Sequence, residues 1–594
     1  MDANLPEAGA TRPRTVLTAW LARRDRPVAR PPHLIAAADE VPPAASLLPT
    51  LLQQVGTQAV YGILILVVAD AFGLAGAEAS RFLCLTLLSL GLGALMQAAR
   101  RGPVGSGYAL SLIPTTSMLA PYLLVADAGG GLDQAALLCV ASGAIAALAV
   151  VLDRRILTAI PTEIAGVVTF AIGASLLPRV VQALDPDATG GGGAALLATA
   201  AATFAATGLM ALAPGPLARF ALPLGALAGT VAALLAGLGE AGAAATLAAA
   251  PWLALPVPDP PLGATLDLAL LPAFLLGVLA NLLSWQSALV SMQRAGDAAW
   301  RRPDGGPIRR GLLGAALSVQ LAGMLGAMAP GVSSAGAVFA IHARVLSRAV
   351  AVGGAALLIL LACSPKAATL LVSIPAPVRA AMLLYMACFM MAGGCQTIAA
   401  RALDTRRTLV AGLALCAVLL TLAAPPVLLA ALPPALRSPV MVGAALALAL
   451  HMATLPLVRR RWAVRIALGP ASTQDIADLC ARVAGGWGLR RELAARLDAA
   501  LVELAEVMAL HGLPSLDLRL TRREDDELAV QVAFAGAPLN LPAGPAPSSE
   551  DLLGDDAAQE GFMLWMALRQ AEGVRQREAP GGVRVLEFTL AAAA

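Results

Sequence analysis

Residues 102–121 read GPVGSGYALSLIPTTSMLAP, and residues 330–348 read PGVSSAGAVFAIHARVLSR. Both stretches are largely apolar, yet Gly, Pro, Ser and Thr interrupt each of them where a membrane helix would otherwise run through. A broken helix leaves backbone N–H groups without partners, which a membrane protein tolerates only where the break lines a cavity or meets a ligand. The two stretches therefore predict two discontinuous helices around a polar pocket, although Gly and Pro are also frequent in ordinary membrane helices.

The composition of the whole chain is typical of a membrane protein. Its 594 residues are 58% hydrophobic and 13% charged, whereas soluble domains average about 25% charged residues. The net charge of +3 gives no reason to expect a nucleic-acid partner, and the seven cysteines lack metal-binding spacing, so we expect no metal and no cofactor. Charged residues crowd both ends, which predicts a cytoplasmic N-terminal segment (1–45), a transmembrane permease domain (46–456) and a cytoplasmic regulatory domain (457–594).

Fourteen apolar segments are candidate membrane spans, each of which needs about 20 apolar residues. Arginines crowd the loops after even-numbered spans, which predicts a multi-pass protein of the inner membrane with both termini in the cytoplasm. The connector 239–265 divides the spans into two sets of seven, and the interrupted stretches are the third span of each set, as an inverted repeat requires. The spans are residues 47–73, 82–99, 107–126, 134–152, 160–178, 193–214, 219–238, 266–293, 311–329, 334–347, 349–364, 376–399, 408–424 and 438–457.

Several stretches resemble the nucleobase–ascorbate (xanthine/uracil permease) family. They are GLGALMQAARRGPVG (91–105), IPTEIAGVVTFAIGASLLP (160–178), RVLSR (344–348) and SPKAATLLVSIPAPVRAAMLLYMACFMMAGG (364–394). The resemblance covers about residues 46–456 and implies an all-α membrane protein built as a seven-plus-seven inverted repeat. A core domain (spans 1–4 and 8–11) would carry substrate past a gate domain (spans 5–7 and 12–14). Spans 3 and 10 would hold a purine or pyrimidine base between their half-helix ends.

The sequence departs from this family where the resemblance implies substrate binding. Family members usually carry a carboxylate in span 8, an acidic or amide residue before a Gly in span 10, and a Gln-His pair in span 1. Amides and hydroxyls form hydrogen bonds but do not carry a proton, so atypical or absent proton coupling is implied. The matching residues here are Asn281 in span 8, Ser333 and Ser334 or, in a second register, Ala335 and Gly336 in span 10, and Gln53-Gln54 in span 1.

Each candidate site residue also has a structural alternative. Asn281 and Trp285 are four residues apart and share a helix face, so they suit a hydrogen bond and an aromatic platform for the substrate, or simply interhelical contacts. His342 is the titratable side chain of span 10, which makes it a candidate proton carrier or an ordinary core histidine. Glu163 lies near a span end, where solvation at the membrane interface is expected. The substrate-binding candidates are Asn281, Trp285, Ser333, Ser334, Gly336, Thr115, Thr116, Ser117 and Gln54.

The C-terminal residues have the pattern of a small α+β domain. Two amphipathic helices precede two alternating strands, a loop at 537–557, a helix at about 558–573 and the last strand, GVRVLEFTL. This order resembles the GHKL ATPase fold of small anti-sigma kinases. Glu503 and His511 match that family, but Val507 stands where its magnesium-binding Asn would, so the resemblance implies a fold without nucleotide chemistry. An unrelated regulatory module explains the pattern too.

The sequence therefore predicts a membrane secondary transporter of a nucleobase-like solute and not an enzyme. A sulfate-type anion transporter of the same architecture is one alternative, because two facing helix N-termini attract negative charge without any carboxylate. A non-transporting solute sensor that signals through the C-terminal domain is the other. The expected partners are a small-molecule substrate, the lipid bilayer, a second copy of the chain in a homodimer and a cytoplasmic protein bound by the C-terminal domain.

Overall fold

The structure is a computed structural model of the chain, and it divides into two compact units. Unit 1 comprises Met1–Ile160, Val168–Met391 and Leu419–Val442, and unit 2 comprises Pro161–Val167, Ala392–Val418 and Gly443–Ala594. The residues described are 28–100, 102–152, 162–186, 192–213, 221–239, 242–261, 263–298, 300, 303–425, 427, 437–454, 461–469, 472–522, 527–539, 541, 556–579 and 583–591. Among them, seven helices are long and apolar enough to cross a membrane alone, and two helices bent by 83° form an eighth candidate crossing.

The first repeat has an element for each of its seven predicted spans. The elements are α1 (Ala44–Ala71), α2 (Gly76–Ala98), β1 (Leu112–Pro114) with α3 (Thr116–Asp127), α4 (Leu132–Leu152), α5 (Thr162–Ser175) with α6 (Leu177–Ala183), α7 (Gly193–Leu212) and α8 (Ala221–Leu235). The interrupted third span is a short strand, β1, that leads into a half-helix, α3. A further short helix, α9 (Ala243–Ala249), lies in the connector between the repeats.

The second repeat has the same plan. Its elements are α10 (Leu271–Gly296), α11 (Gly305–Leu325), β2 (Pro330–Val332) with α12 (Ser334–His342), α13 (Arg348–Ala362) with the bent continuation α14 (Pro365–Val372), α15 (Ala376–Ala399), α16 (Thr405–Ala423) and α17 (Pro439–Thr454). Span 10 is again a strand followed by a half-helix. The predicted fourteen-span, seven-plus-seven architecture is therefore confirmed over the described residues, with spans 3 and 10 each interrupted by a strand and span 11 followed by a sharp bend.

Spans of one repeat pack against spans of the other within unit 1. Helix α4 packs along α11, and α2 packs along α13, so span 4 meets span 9 as span 2 meets span 11. Glycines permit these approaches: a Cβ at Gly143 would lie 2.7 Å from the backbone nitrogen of Gln320, and one at Gly91 would lie 2.6 Å from Cγ1 of Ile359. Small residues bring helix backbones together in this way in membranes. Spans 2 and 4 of the first repeat correspond to spans 9 and 11 of the second, so the two contacts are related by the symmetry of an inverted repeat.

The first described residues form a strap over several helix ends of unit 1. We call residues 28–40 the N-terminal strap. Backbone hydrogen bonds and one parallel bridge pair it with the turn between α12 and α13. Asp39 forms ion pairs with Arg100, which follows α2, and with Arg348, the first residue of α13. The strap therefore fastens together helix ends that are far apart along the chain.

Unit 2 contains the predicted α+β C-terminal domain. Its elements are β3 (Arg461–Ala467), α18 (Ser472–Trp487), α19 (Arg491–Leu510), β4 (Ser515–Arg522), β5 (Glu527–Ala535), α20 (Asp556–Leu568), β6 (Ala571–Ala579) and β7 (Val583–Ala591). The strands form one antiparallel sheet in the order β3-β4-β5-β7-β6. Alternate side chains of β4 and β5 join a core with residues of α18 and α19.

One predicted boundary in this domain was wrong. The helix expected over 558–573 ends at Leu568, and residues from Ala571 onward form β6. Strand β6 is an edge strand whose exposed side chains are all charged and none of whose residues is fully buried, so it lacks the apolar alternation by which a half-buried strand is found in a sequence. Most of the predicted loop 537–557 lies outside the described residues.

The C-terminal domain contacts the loop before α16, within unit 2. The backbone N–H of Ala402 donates to the carbonyl of Leu489 at 2.9 Å, and the guanidinium of Arg401 donates to the carbonyl of Gly488 at 3.1 Å. Both carbonyls belong to the tight turn between α18 and α19. The turn that joins two helices of the C-terminal domain is thus anchored on a loop that leads directly into α16, a candidate membrane helix.

A buried ion pair lies beside this contact. The guanidinium of Arg407 and a carboxylate oxygen of Glu163 are 2.7 Å apart, and their side chains are 8% and 2% exposed. Gly488 covers the Arg407 guanidinium with a positive φ of 60°, and a Cβ there would collide with that guanidinium. The expectation that Glu163 is solvated at the membrane interface was wrong, because a cation from another helix neutralises it inside the protein.

Candidate functional site

The two interrupted spans meet through their strands. Strands β1 and β2 pair antiparallel, with Leu112 opposite Val332 and Ile113 opposite Gly331. Half-helices α3 and α12 begin at the second residue after the end of each strand. We call β1, β2 and the first turns of α3 and α12 the crossover. Because the first N–H groups of a helix have no partner inside it, the crossover brings together two helix starts with partial positive charge.

Asn281, in α10, forms hydrogen bonds to both halves of the crossover. Its Nδ2 donates to the carbonyl of Pro330 in β2 at 2.9 Å, and its Oδ1 accepts from the hydroxyl of Thr115 at 3.3 Å. The Asn281 side chain is buried, with 1% of the residue exposed. Both ends of its amide are therefore engaged by protein groups, and the side chain links the end of β1 to the start of β2.

The predicted residues of span 10 lie at the start of α12. Ser333 is buried, and its hydroxyl accepts a hydrogen bond from the N–H of Gly336 at 3.0 Å, which caps the half-helix. Gly336 lies against β1, since a Cβ there would be 2.6 Å from Cβ of Ser111. Ser334 is the first residue of α12, and its side chain lies outside the described part of the structure.

The structure brings Thr115, Thr116 and Ser117 to the start of α3. Thr115 is buried and occupies the N-cap position, but its hydroxyl bonds to Asn281 and does not cap the helix. The side chains of Thr116 and Ser117 are half-buried. The start of α3 is thus left without a side-chain cap, in contrast to the start of α12.

Two other predicted residues lie on neighbouring helices. Trp285 is fully buried one turn beyond Asn281, and its indole nitrogen has no hydrogen-bond partner among the described residues. Gln54 of α1 packs against Gly354 of α13, and its Nε2 is buried without a partner in the described part of the chain. Each side chain therefore lies on the first helix of its repeat, and Gln54 occupies the position that matches Asn281.

His342 does not lie at the crossover. It is the last residue of α12 and is exposed. At about 1.5 Å per residue, the eight steps from Ser334 to His342 separate it by roughly 12 Å from the helix start.

Two polar residues that were not predicted as site residues, Ser111 and Gln58, lie on segments that form or border the crossover. The N–H of Ser333 donates to the carbonyl of Ser111 at 2.9 Å, while the Ser111 hydroxyl is buried without a partner among the described residues. Gln58 lies one turn after Gln54, is 3% exposed, and has no partner in the described structure for either atom of its amide. A glutamine four residues after another polar residue, inside an apolar span, was the signal in the sequence.

The spans that form or border the crossover carry no Asp, Glu, Lys or Arg in their middle portions. Asp, Glu, Lys and Arg are all absent from 41–69, 102–126, 268–293 and 311–343. Among the described residues, no group of His, Cys, Asp or Glu is arranged to hold a metal ion. The crossover therefore offers amides, hydroxyls and helix starts to a ligand.

Over its described residues, the chain has fourteen spans in an inverted repeat, and the broken third span of each repeat meets the other at a polar crossover. This is the architecture of a membrane transporter. The sequence model of the xanthine/uracil permeases, described as "Permease family", matches residues 52–427. The chain belongs to this family.

Two solved structures are similar to the chain. The transmembrane domain of BicA, a cyanobacterium bicarbonate transporter, is 16% identical, with 70% of this chain and 100% of that chain covered and a TM-score of 0.47. The structure of SLC26A9 is 11% identical, with 71% of this chain and 67% of that chain covered and a TM-score of 0.45. No curated protein sequence matches the chain.

Proposed function

We propose that the protein is a secondary transporter of a purine- or pyrimidine-like base, which it binds at the crossover. The observation that supports this is a pair of helix starts in a site whose segments carry amides and hydroxyls but no charged side chain. A nucleobase is a small, largely neutral ring with N–H donors and carbonyl acceptors along its edge. Helix-start N–H groups suit its carbonyls, and amides and hydroxyls suit both kinds of group.

Transport by this site does not use a carboxylate as proton carrier. The spans that form the crossover contain no acidic residue in their middle portions, and His342 is exposed at the far end of α12. A neutral amide or hydroxyl does not exchange a proton near pH 7. Proton coupling through this site is therefore atypical or absent, and the protein lies in the inner membrane with both termini in the cytoplasm.

Anion transport is the second candidate, and a specific observation favours it. The start of α3 has no side-chain cap, so its N–H groups remain available to an oxyanion. A base with carbonyl oxygens uses the same groups. The two candidates therefore differ in whether flux requires a net negative charge on the solute.

Flux into proteoliposomes tests the proposal. Purified protein is reconstituted and challenged with labelled uracil, xanthine, urate and sulfate, with protein-free liposomes as the control. We expect uptake of a base that an imposed pH gradient does not accelerate. Sulfate uptake without base uptake would establish the anion alternative, and binding without flux would establish a sensor. Base uptake that a pH gradient drives would contradict the absence of proton coupling.

A further inference from the structure

The first helices of the two repeats carry polar residues at matching positions. Gln54 and Asn281 each lie ten residues after the first residue of their helix, and Gln58 and Trp285 each lie fourteen residues after it. In the second repeat, the Asn281 position meets the crossover directly. The repeat symmetry therefore turns the face of α1 that carries Gln54 and Gln58 toward the crossover from the other side.

The packing of α1 agrees with this placement. Helix α1 packs against β1 and also against the half-helices α3 and α12, which are the elements of the crossover. Gln58 lies in the middle of the 28-residue helix Ala44–Ala71, and Asn281 lies near the middle of α10. Gln58 thus lies in the middle portion of a helix that borders the crossover.

Gln58 is a buried amide that lacks hydrogen-bond partners among the described residues. The residue is 3% exposed, and neither its Oε1 nor its Nε2 has a hydrogen-bond partner among the described residues. Leaving one buried polar group unbonded costs about 1–3 kcal/mol, so an amide with two unbonded ends is unfavourable unless something else bonds to it. Gln54 and Ser111, which border the same region, also have buried polar atoms without partners in the described structure.

We propose that Gln58 is a substrate-binding residue that recognises the imide edge of the base. This inference rests on the proposed function. Its Oε1 accepts the hydrogen of an imide N–H, and its Nε2 donates to the carbonyl beside that N–H. A single neutral amide thus makes the paired contact with an N–H and a carbonyl that a carboxylate cannot make, because a carboxylate only accepts. Gln58 is then the residue that compensates for the carboxylates absent from spans 8 and 10.

The test compares bases that carry the imide hydrogen with bases that lack it. Uptake of labelled uracil is measured in competition with uracil and 3-methyluracil, and uptake of labelled xanthine in competition with xanthine and 1-methylxanthine. The wild-type protein should prefer the unmethylated competitor by roughly 10- to 100-fold, as a paired hydrogen bond of about 1.4–2.8 kcal/mol gives. Gln58→Leu should lose this preference and raise KM by a similar factor. Gln182→Leu, the same change at an exposed glutamine in α6, should alter neither.

Thermal unfolding without substrate separates binding from a structural role. Replacing an amide that has no partner among the described residues with an apolar side chain of similar size should leave Tm unchanged or raise it. A structural glutamine would instead lower Tm on the same change. A Gln58→Cys variant gives a second readout, because uracil or xanthine should protect the thiol from maleimide.

The outcomes are distinct. If Gln58→Leu keeps both affinity and discrimination while the wild type carries a base, the role of Gln58 is overturned and the proposed function stands. If the wild type neither binds nor carries a base, both fall. If Gln58→Leu fails to fold, Gln58 is structural and the inference is overturned, unless Gln58→Cys folds and is protected by the base.

Discussion

Asn281 connects two interrupted spans through one side chain. Its amide donates to Pro330 and accepts from Thr115, so it uses both of its hydrogen-bonding ends on protein groups. The amide keeps a second N–H and a second lone pair, but Asn281 is only 1% exposed, so a substrate reaches it only if the surrounding packing changes. In the described conformation, Asn281 therefore positions the strands that carry the helix starts, and a direct contact with substrate would belong to another step of transport.

We expect Asn281→Ala to destabilise the protein by about 1–3 kcal/mol, because the carbonyl of Pro330 and the hydroxyl of Thr115 lose their partner in a buried site. Thermal unfolding in detergent measures this loss, and Ser287→Ala, at an exposed position of the same helix, is the control. Loss of substrate binding with unchanged Tm would contradict the positioning role and assign Asn281 to the substrate.

Gly331 is a second residue on which the crossover depends. A Cβ at this position would lie 2.7 Å from Cβ and Oγ1 of Thr115 and 3.0 Å from Oδ1 of Asn281. We expect Gly331→Ala to cost about 1–3 kcal/mol by overpacking and to reduce flux, because the strands must separate. Gly412→Ala, on α16 where a Cβ has open space, should leave Tm and flux unchanged. A stable and fully active Gly331→Ala variant would show that the strands are not held this closely.

Burial makes the thiol of Cys480, in α18, less acidic and therefore less reactive than an exposed thiol. Burial first, and then the nearby Asp498, raise the pKa of the Cys480 thiol to about 12. Because only the thiolate reacts, labelling by iodoacetamide at pH 8 should be about 1,000-fold slower than for a free cysteine of pKa about 8.5–9. Labelling should accelerate as the pH rises and when the C-terminal domain unfolds. Mass spectrometry of the Cys480 peptide measures the rate, and rapid labelling of the native protein would contradict the buried position.

At the scale of secondary structure, the sequence predicted the spans and missed the strands. A span of about 20 apolar residues is visible in any single sequence, and the broken third span of each repeat was visible from its Gly and Pro. Strands β1 and β2 contain three residues each and lie more than two hundred residues apart along the chain. They are too short to show an alternating pattern, so their pairing cannot be predicted from the sequence. Gln58 is absent from the predicted site for a related reason, because the family resemblance in span 1 singles out only the Gln53-Gln54 pair.

The whole molecule contains contacts between distant segments that no local pattern encodes. Glu163 and Arg407 are 244 residues apart, and each alone looks like a charge near a span end. Only the folded chain shows that they neutralise one another and that the turn at Gly488 covers the guanidinium. The sequence therefore predicted the C-terminal α+β domain, but no local pattern in it indicates the contact of that domain with the loop before α16.

We expect Arg407→Met to destabilise the protein by about 3–5 kcal/mol, because it leaves the carboxylate of Glu163 buried without a cation. Arg465→Met is the matched control: Arg465 pairs with Asp517 at 71% and 49% exposure, and such exposed pairs contribute about 0–1 kcal/mol. The double variant Glu163→Gln with Arg407→Met should recover part of the loss. Equal effects of Arg407→Met and Arg465→Met on thermal unfolding would contradict the buried pair.

The N-terminal strap has a consequence for how the chain is made. Asp39 leaves the ribosome early, but Arg348, one of its two partners, is synthesised 309 residues later. At about 5–20 residues per second, the strap waits roughly 15–60 s before the second arginine exists. The strap therefore cannot close on the start of α13 until the first ten spans have been synthesised, and its closure reports that this part of the membrane domain has been made.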